Sequence, residues 1–176
     1  IDGLNDVDYY TSETILEERY LPESIVMLGG GYIALEWGQI LHRVGVDVTI
    51  LQRSERVLSG MESQLGGEIQ RAFEEEGIEV ITGNDFQRVR TPAADGGAEA
   101  VQSGVAVKTT VDGTERTVTG DALFVATGVQ PNSEGIGLGS VGVETNDDGT
   151  VYVDEYLQTT NPDVYAAGDV IGEPEL

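Results

Sequence analysis

The sequence predicts an α/β fold of three layers: a parallel sheet with helices on one face and a three-stranded antiparallel β-meander on the other. Three observations lead to this expectation. Between residues 25 and 81, short apolar runs alternate with amphipathic stretches, as in parallel strands joined by helices. Between residues 86 and 119 the hydrophobic period changes to two, which indicates antiparallel strands. A last apolar run at 123–125 predicts a buried strand that returns to the parallel sheet.

The first strand–helix–strand unit carries the strongest signal. An apolar run at 25–28 predicts a strand, the turn Gly29-Gly30-Gly31 follows, and a helix is expected up to Val44, before a second strand at 46–51. The helix is expected to turn one apolar face toward the sheet, formed by Ile33, Trp37, Ile40, Leu41 and Val44.

This unit is Rossmann-like and predicts a dinucleotide site. Gly29 permits the tight turn, Gly31 lets the backbone approach a pyrophosphate, and Ala34 allows close packing of helix on strand. The pyrophosphate would lie at the helix N-terminus, where free N–H groups and the positive end of the dipole favour it. The alternative is a glycine turn that serves packing alone.

The remaining elements divide the chain into three parts. Residues 1–23 are expected to form an N-terminal segment with a short helix, residues 24–132 the dinucleotide-binding domain, and residues 133–176 a loop-rich tail. The further elements predicted are a short helix at 12–19, a helix at 62–76 that buries Leu65, Ile69, Ala72 and Phe73, a strand at 78–81, meander strands at 86–90, 105–110 and 115–119, a loop at 92–104, a hairpin turn at Asp112-Gly113, and tail strands at 151–153 and 164–166.

The end of the second strand predicts which dinucleotide is bound. Sites built for NAD place Asp or Glu about 20 residues past the glycines, where the carboxylate binds the ribose 2′-hydroxyl. Here that position holds Gln52, followed by Arg53 and Arg56. A neutral side chain next to guanidinium groups suits a 2′-phosphate, so we predict NADPH. The alternative is that both arginines are surface residues paired with Glu55 or Glu62.

The composition limits the classes of function. Among 176 residues, 32 are acidic and nine are basic, which gives a net charge of −23 and disfavours binding to nucleic acid or anionic membranes. A chain that is so acidic and has a single lysine, Lys108, suggests the cytoplasm of a high-salt organism.

Because the chain has no cysteine, it can form no disulfide, thiolate metal site or cysteine nucleophile, and no metal site is expected. No apolar run reaches the roughly 18 residues of a membrane span, and residues 1–20 lack the features of a signal peptide.

Three motifs occur in a familiar order along the chain: Gly29–Glu36 (GGGYIALE), Ala126–Asn132 (ATGVQPN) and Thr160–Asp169 (TNPDVYAAGD). Together they resemble the flavin-dependent pyridine nucleotide-disulfide oxidoreductases, and the resemblance covers the whole chain. Within that family the chain is most similar to mercuric reductases, on the order Gln52-Arg53-Ser54 and on Glu173-Pro174-Glu175-Leu176 shortly after Asp169. Dihydrolipoamide dehydrogenases typically have Glu at position 52, and glutathione reductases would have a second arginine at Ser59.

The resemblance implies a role for each motif residue. Gly29, Gly31 and Ala34 would hold the pyrophosphate, and Ile33 would also belong to the cofactor site. Gln52, Arg53 and Arg56 would surround the 2′-phosphate, Gly128 would lie near the nicotinamide, and Asp169 would bind the ribitol of FAD. Tyr32 would be a gate over the flavin, and Glu36 would face the nicotinamide and flavin; the alternatives are an ordinary exposed tyrosine and a solvated carboxylate that the helix dipole stabilises.

The resemblance also implies what the chain does as a whole. We expect the central NADPH-binding domain of a larger reductase, extended into part of the second FAD-binding segment and inactive alone. The family's first flavin motif, its cysteine pair and its dimerisation domain are absent from this sequence. In the parent, expected to be a homodimer, hydride would pass from NADPH to FAD, then to a dithiol and to Hg(II). The alternatives are the same domain of a dihydrolipoamide dehydrogenase or glutathione-reductase-like enzyme, a stand-alone flavoenzyme, and a non-catalytic nucleotide-binding regulatory module. The chain itself is expected to be monomeric.

Overall fold

The computed structural model describes residues 1–92 and 104–172. The chain forms two compact units, Ile1–Gly128 and Val129–Leu176. Most of the predicted loop at 92–104 lies outside the described residues, and so does the segment Glu173–Leu176.

The first unit contains the predicted alternation of strands and helices. Its elements are β1 (Ser24–Leu28), α1 (Tyr32–Arg43), β2 (Asp47–Leu51), α2 (Ser63–Glu76), β3 (Glu79–Ile81), β4 (Asp85–Arg90), β5 (Val105–Val111), β6 (Thr114–Gly120) and β7 (Ala122–Val125). One sheet has the order β3-β2-β1-β7 with all neighbours parallel, and a second sheet has the antiparallel order β4-β5-β6. Each predicted strand of the two sheets therefore exists, within one residue at either end.

The parallel sheet is covered on both faces, which confirms the three-layer architecture. Side chains alternate along a strand, so β1 turns Ile25 and Met27 toward one face and Val26 and Leu28 toward the other. The first pair belongs to the buried cluster that includes residues of α1 and α2, and the second pair packs with apolar residues of the meander. Burial on both faces explains why β1 and β7 are continuously apolar.

Helix α1 buries only part of the face that hydrophobicity predicts: Leu41 is buried, and Ile33 and Trp37 pack against the core. Ile40 is 51 % exposed and Val44 is 56 % exposed, so their predicted burial is wrong. The buried positions include Ala34 and Gly38 instead, and a Cβ at Gly38 would stand only 3.1 Å from Ile50 Cδ1. Small residues let the helix axis approach the sheet closely, so the contact face is centred on them rather than on the largest apolar side chains.

Helix α2 shows the same effect. Phe73 is buried, but Leu65 is 45 % exposed and Ala72 is also exposed, whereas Gly66 is buried against the Val57 carbonyl. The predicted burial of Leu65 and Ala72 is therefore wrong, because the approach to the preceding loop is through a glycine backbone. The predicted N-terminal helix at 12–19 is shorter than expected, a 3₁₀ turn at Thr14–Glu17.

The hairpin turn of the meander is as predicted. Asp112 and Gly113 both have positive φ angles, +49° and +75°, which is the backbone of a type I′ turn. They join β5 to β6 with Val111 opposite Thr114.

The second unit is built mainly from turns. The strands predicted at 151–153 and 164–166 are not formed as ladders, since the described residues show only isolated bridges, Thr145–Val151 and Gln158–Tyr165. Side chains hold the backbone instead. Thr160 Oγ1 donates to the Gly142 carbonyl, and Asn161 Nδ2 donates to the Val141 carbonyl. These two bonds join residues 18 and 20 positions apart, so side chains hold together segments that no ladder connects.

Candidate functional site

The glycine turn lies at the carboxyl end of β1, between the two strands that flank it. Gly29 has φ +111°, and its N–H donates to the Leu51 carbonyl at 2.9 Å. A Cβ at Gly29 would stand 2.2 Å from the Ala126 carbonyl oxygen of the chain that leaves β7. Position 29 therefore requires glycine for both backbone conformation and space.

Gly31 has a different environment, although it is only two residues away. It is exposed, its φ of −78° is open to any residue, and a Cβ there would meet nothing within 4 Å. The first intrahelical bond of α1 runs from Leu35 N–H to the Gly31 carbonyl, at 3.1 Å. The N–H groups of residues 32–34 therefore precede the helical ladder, and no side chain caps them among the described residues. Open space in front of uncapped N–H groups is the geometry of an anion site.

The predicted supporting residues lie near the start of α1, with Tyr32 at its first position and Glu36 one turn later. Tyr32 is 37 % exposed and Glu36 is exposed, whereas Ile33 is partly buried and packs against the helix-side core. Ala34 is fully buried against the sheet, where the helix approaches most closely. The structure thus gives Ala34 the packing role that the sequence suggests and leaves Tyr32 and Glu36 facing solvent.

Gln52 follows β2 and packs directly on the glycine turn. A Cβ at Gly30 would stand 2.9 Å from Gln52 Cβ, so Gly30 is small because Gln52 covers it. The Gln52 side chain accepts the N–H of Arg53 at 3.1 Å and donates to the Arg56 carbonyl at 3.4 Å. Sequence reasoning gave Gly30 no role. The signal that could have shown it is the third consecutive glycine, which a turn alone does not require.

The two arginines of the loop at 52–62 are held differently. The Arg53 side chain is exposed, and neither it nor Arg56 forms an ion pair with Glu55 or Glu62 in the described part of the chain. Arg56 Nη2 donates to the Ser59 carbonyl at 3.1 Å, and it lies 3.4 Å from the Met61 carbonyl. Arg56 thus fastens its own loop, whereas Arg53 extends from it.

The same loop closes onto the glycine turn. Leu58 N–H donates to the Gly30 carbonyl at 2.8 Å, and Leu58 adopts φ +49°, which is unusual for a residue with a side chain. On the other side, Gly83 N–H donates to the Ser54 carbonyl at 2.9 Å. The loop is therefore pinned at several points, which gives Arg53 a defined starting position beside the turn.

The two remaining predicted residues lie beyond β7. Gly128 is exposed, has φ +141°, and would place a Cβ in open space. Asp169 belongs to the second unit, where it is exposed at the start of the 3₁₀ turn Asp169–Ile171 and borders a concavity of about 400 Å³. That concavity is also lined by Asn132, Asp148 and Thr150.

Tyr10 and Asp148 have shifted pKa values with identifiable physical causes. Burial, and then the neighbouring Glu18 carboxylate, raise the pKa of Tyr10. Hydrogen bonds from the Thr150 hydroxyl at 2.6 Å and the Thr150 N–H at 3.0 Å lower the pKa of Asp148.

The part of the chain that the structure describes has no cluster of His, Cys, Asp or Glu side chains that could hold a metal ion. It also contains no helix with the length and apolarity that a membrane crossing requires.

Comparison with known sequences agrees with this geometry. The family model for pyridine nucleotide-disulphide oxidoreductases matches residues 1–176. Mercuric reductase from Streptomyces lividans is 43 % identical over the whole chain, and mercuric reductase from Staphylococcus aureus is 39 % identical. Dihydrolipoyl dehydrogenase from Geobacillus stearothermophilus is 33 % identical over 89 % of the chain. The chain spans 35 %, 30 % and 31 % of these relatives, about a third of their length.

Solved structures give the same result. The HOCl-induced flavoprotein disulfide reductase RclA from Escherichia coli, in its Cu(II) complex, superimposes with a TM-score of 0.82 at 26 % identity; the match covers the whole chain and 37 % of RclA. LpdA from Mycobacterium tuberculosis gives a TM-score of 0.76 at 26 % identity, over 94 % of the chain and 34 % of LpdA. These matches confirm the resemblance stated from the three sequence motifs: the chain belongs to the pyridine nucleotide-disulphide oxidoreductase family.

Proposed function

We propose that this chain is the NADPH-binding domain of a flavin-dependent oxidoreductase, in which it delivers hydride from NADPH to FAD. The observation that carries the proposal is the combination of an open, uncapped helix N-terminus at Gly31 with Arg53, an exposed arginine on the loop after β2 that forms no ion pair with any described residue. The first feature suits a pyrophosphate and the second a 2′-phosphate. Membership of the family supports a pyridine nucleotide as the ligand.

The residues at the turn fit a pyrophosphate. Gly31 leaves space in front of the N–H groups of residues 32–34, and the N-terminal end of the α1 dipole adds partial positive charge there. Gly29 and Ala34 act indirectly, because they set the turn and the closeness of α1 to the sheet. NADPH supplies the hydride when bound, and the protein contributes its position and electrostatic environment.

The loop after β2 supports NADPH over NADH. A carboxylate at position 52 would bind the 2′-hydroxyl of NADH and repel a phosphate, whereas Gln52 is neutral and already bonded within its loop. We assign the 2′-phosphate contact to Arg53. Arg56 has the supporting role of fixing the loop, because its Nη2 is engaged by the Ser59 and Met61 carbonyls. The same absence of a carboxylate at position 52 makes a dihydrolipoyl dehydrogenase the weaker candidate.

The final acceptor is proposed from the relatives. Chains named mercuric reductase match at 37–43 % identity over the whole chain, so Hg(II) reduction by a longer parent protein is the proposed reaction. Gly128 is then assigned to the nicotinamide and Asp169 to the flavin, and Tyr32 and Glu36 are assigned supporting roles in hydride transfer. Because the chain contains no cysteine, the dithiol that passes electrons to the metal has to come from elsewhere in that protein.

The proposal is tested by binding. NADPH and NADH are titrated at one fixed salt concentration, with energy transfer from Trp37, the single tryptophan, to the nicotinamide as the signal. Arg53→Ala is expected to weaken NADPH about 10- to 100-fold and to leave NADH nearly unchanged, because one charge-assisted bond to phosphate is lost. Gln52→Glu is expected to shift the preference toward NADH. Equal affinity of the wild-type chain for both dinucleotides would refute the 2′-phosphate assignment.

Arg56→Ala is the matched comparison. It removes the same charge three residues away, but its main expected effect is a less stable loop, with a loss of NADPH affinity that is smaller than for Arg53→Ala. If Arg56→Ala abolished discrimination while Arg53→Ala kept it, the two roles would have to be exchanged.

A further inference from the structure

Two polar side chains are buried beneath the loop that carries Arg53, on elements that the proposed site does not use. Asn84, which follows β3, is 2 % exposed, and Thr109, on β5 of the meander, is fully buried. Burying an amide or a hydroxyl costs folding free energy unless the group is hydrogen-bonded, so both side chains need hydrogen-bond partners in the interior.

Asn84 bonds the Gln52 carbonyl directly and reaches the Gln52 N–H through the Ile81 carbonyl. Its N–H donates to the Gln52 carbonyl at 3.0 Å, and its side-chain Nδ2 lies 3.2 Å from the same oxygen. Nδ2 also donates to the Ile81 carbonyl at 2.5 Å, and that carbonyl accepts the N–H of Gln52 at 2.8 Å. The peptide groups on either side of Gln52 are therefore tied to one buried amide.

Thr109 fixes the orientation of that amide. Its hydroxyl lies 3.1 Å from Asn84 Oδ1 and 3.0 Å from the Asp85 carbonyl. Since Asn84 Nδ2 faces two carbonyls, Oδ1 has to face a donor, and the Thr109 hydroxyl supplies it with one proton that it shares between Oδ1 and the Asp85 carbonyl. A contact from the meander thus reaches through the edge of the parallel sheet to the backbone at Gln52.

The network brackets Arg53. The Gln52 carbonyl is held by Asn84 on one side, and the Ser54 carbonyl accepts the N–H of Gly83 at 2.9 Å on the other. Arg53 lies between these two fixed carbonyls, and its own N–H is bonded to Gln52 Oε1. Its long side chain is exposed, so the position of its Cα decides where the guanidinium can reach.

We propose that Asn84 and Thr109 are positioning residues for dinucleotide selectivity: they hold the backbone at Gln52–Ser54 so that Arg53 meets the 2′-phosphate. This inference rests on the proposed NADPH site and adds to it two residues that do not contact the cofactor. It predicts that loosening the network lowers the preference for NADPH over NADH, because NADH has no phosphate for Arg53 to bind.

The test compares substitutions at two positions of the same strand, Thr109 and Val107. Thr109→Val keeps the shape and removes the hydroxyl, and Thr109→Ser keeps the hydroxyl. Val107→Ala is the matched control, since Val107 is fully buried two residues away, packs in the meander-side apolar cluster, and has no polar side-chain atom that could join the hydrogen-bond network. Each variant is titrated with NADPH and NADH at one salt concentration, and its thermal unfolding is recorded.

Thr109→Val is expected to lower the NADPH-to-NADH affinity ratio roughly three- to tenfold, the effect of a displaced charge-assisted contact. Thr109→Ser should restore the ratio. Val107→Ala should lower the unfolding temperature and leave the ratio unchanged. In an Arg53→Ala background, Thr109→Val should have no further effect on the ratio.

Two results would overturn the inference: a ratio that changes no more in Thr109→Val than in Val107→Ala, or a change that persists when Arg53 is already alanine. Both are separate from failure of the proposed function. If the wild-type chain prefers NADPH through Arg53 but Thr109 has no influence, only the positioning role is wrong. If the wild-type chain shows no preference, the phosphate assignment falls and the positioning role falls with it.

Discussion

Gly29 and Gly31 undergo the same chemical change when each is replaced by alanine, but the structure predicts opposite consequences. At Gly29 the added Cβ would lie 2.2 Å from the Ala126 carbonyl oxygen, and the backbone has φ +111°. A left-handed backbone costs a residue with a Cβ about 1–2 kcal/mol, and overpacking costs about 1–3 kcal/mol more. We therefore expect Gly29→Ala to lower the free energy of unfolding by about 2–5 kcal/mol.

At Gly31 the added Cβ meets nothing within 4 Å, and φ is −78°. Alanine is a poorer N-cap than glycine, but it also restricts the unfolded chain, and these two effects of about 0.5–1 kcal/mol oppose one another. Folding stability should thus change by less than about 1 kcal/mol. The methyl group would occupy the space in front of the helix N–H groups, so NADPH affinity should fall at least about tenfold.

Urea unfolding and NADPH titration measure the two effects separately. Trp37 packs against Phe124 with ring centroids 6.2 Å apart, so its fluorescence reports unfolding of the unit that contains both glycines. If Gly31→Ala kept wild-type NADPH affinity, the pyrophosphate would not lie at this helix N-terminus. If Gly29→Ala unfolded at the wild-type urea concentration, the steric argument would be refuted.

Three further predictions concern stability. Gly113→Ala should lower the unfolding free energy by about 1 kcal/mol, because φ is +75° in the hairpin turn, and urea unfolding checks it. Asp148 has a lowered pKa, so its contribution to stability is complete above its unfolded-state pKa of about 4 and is lost as the pH falls through its lower folded-state pKa. Asp148→Asn should therefore reduce the fall in the urea unfolding midpoint that the wild-type chain shows at acid pH. Added KCl should raise the thermal midpoint: the six ion pairs among the described residues are 41–72 % exposed and lose little on screening, whereas the repulsion of 23 net negative charges is relieved.

The strands were predictable from sequence because their signals are local. Apolar runs bounded by glycine give β1 and β2 within one residue, and positive-φ turn residues give the hairpin at Asp112-Gly113. The inward face of α1 was only partly predictable from hydrophobicity. Gly38 approaches the sheet because it has no side chain, and this turns Ile40 away from the core. The tail strands were not predictable either: only isolated bridges form at Val151 and Tyr165, and the Thr160 and Asn161 side chains instead hold carbonyls 18 and 20 residues away in the sequence.

The candidate site also has features that the sequence predicts and features that it does not. The sequence places Gly29, Gly31 and Gln52 near one another, because the carboxyl ends of neighbouring parallel strands meet at one edge of the sheet. It does not distinguish Arg53 from Arg56, since their difference depends on the fold of the loop and on the carbonyls of Ser59 and Met61. A side chain's reach after a strand can be predicted, but its hydrogen-bond partners within an irregular loop cannot.

Thr109 is a polar residue in a row of buried apolar positions, a pattern that is visible in the sequence. Val105, Val107 and Thr109 point to the same face of β5, and all three are buried. A threonine in an apolar register has to satisfy its hydroxyl, so its presence indicates a buried partner from another layer. That partner is Asn84, whose amide in turn holds the backbone at Gln52. Thr109 in the meander and the loop after β2 are therefore two ends of one hydrogen-bond network, and this connection is the basis of the proposed influence of the third layer on dinucleotide selectivity.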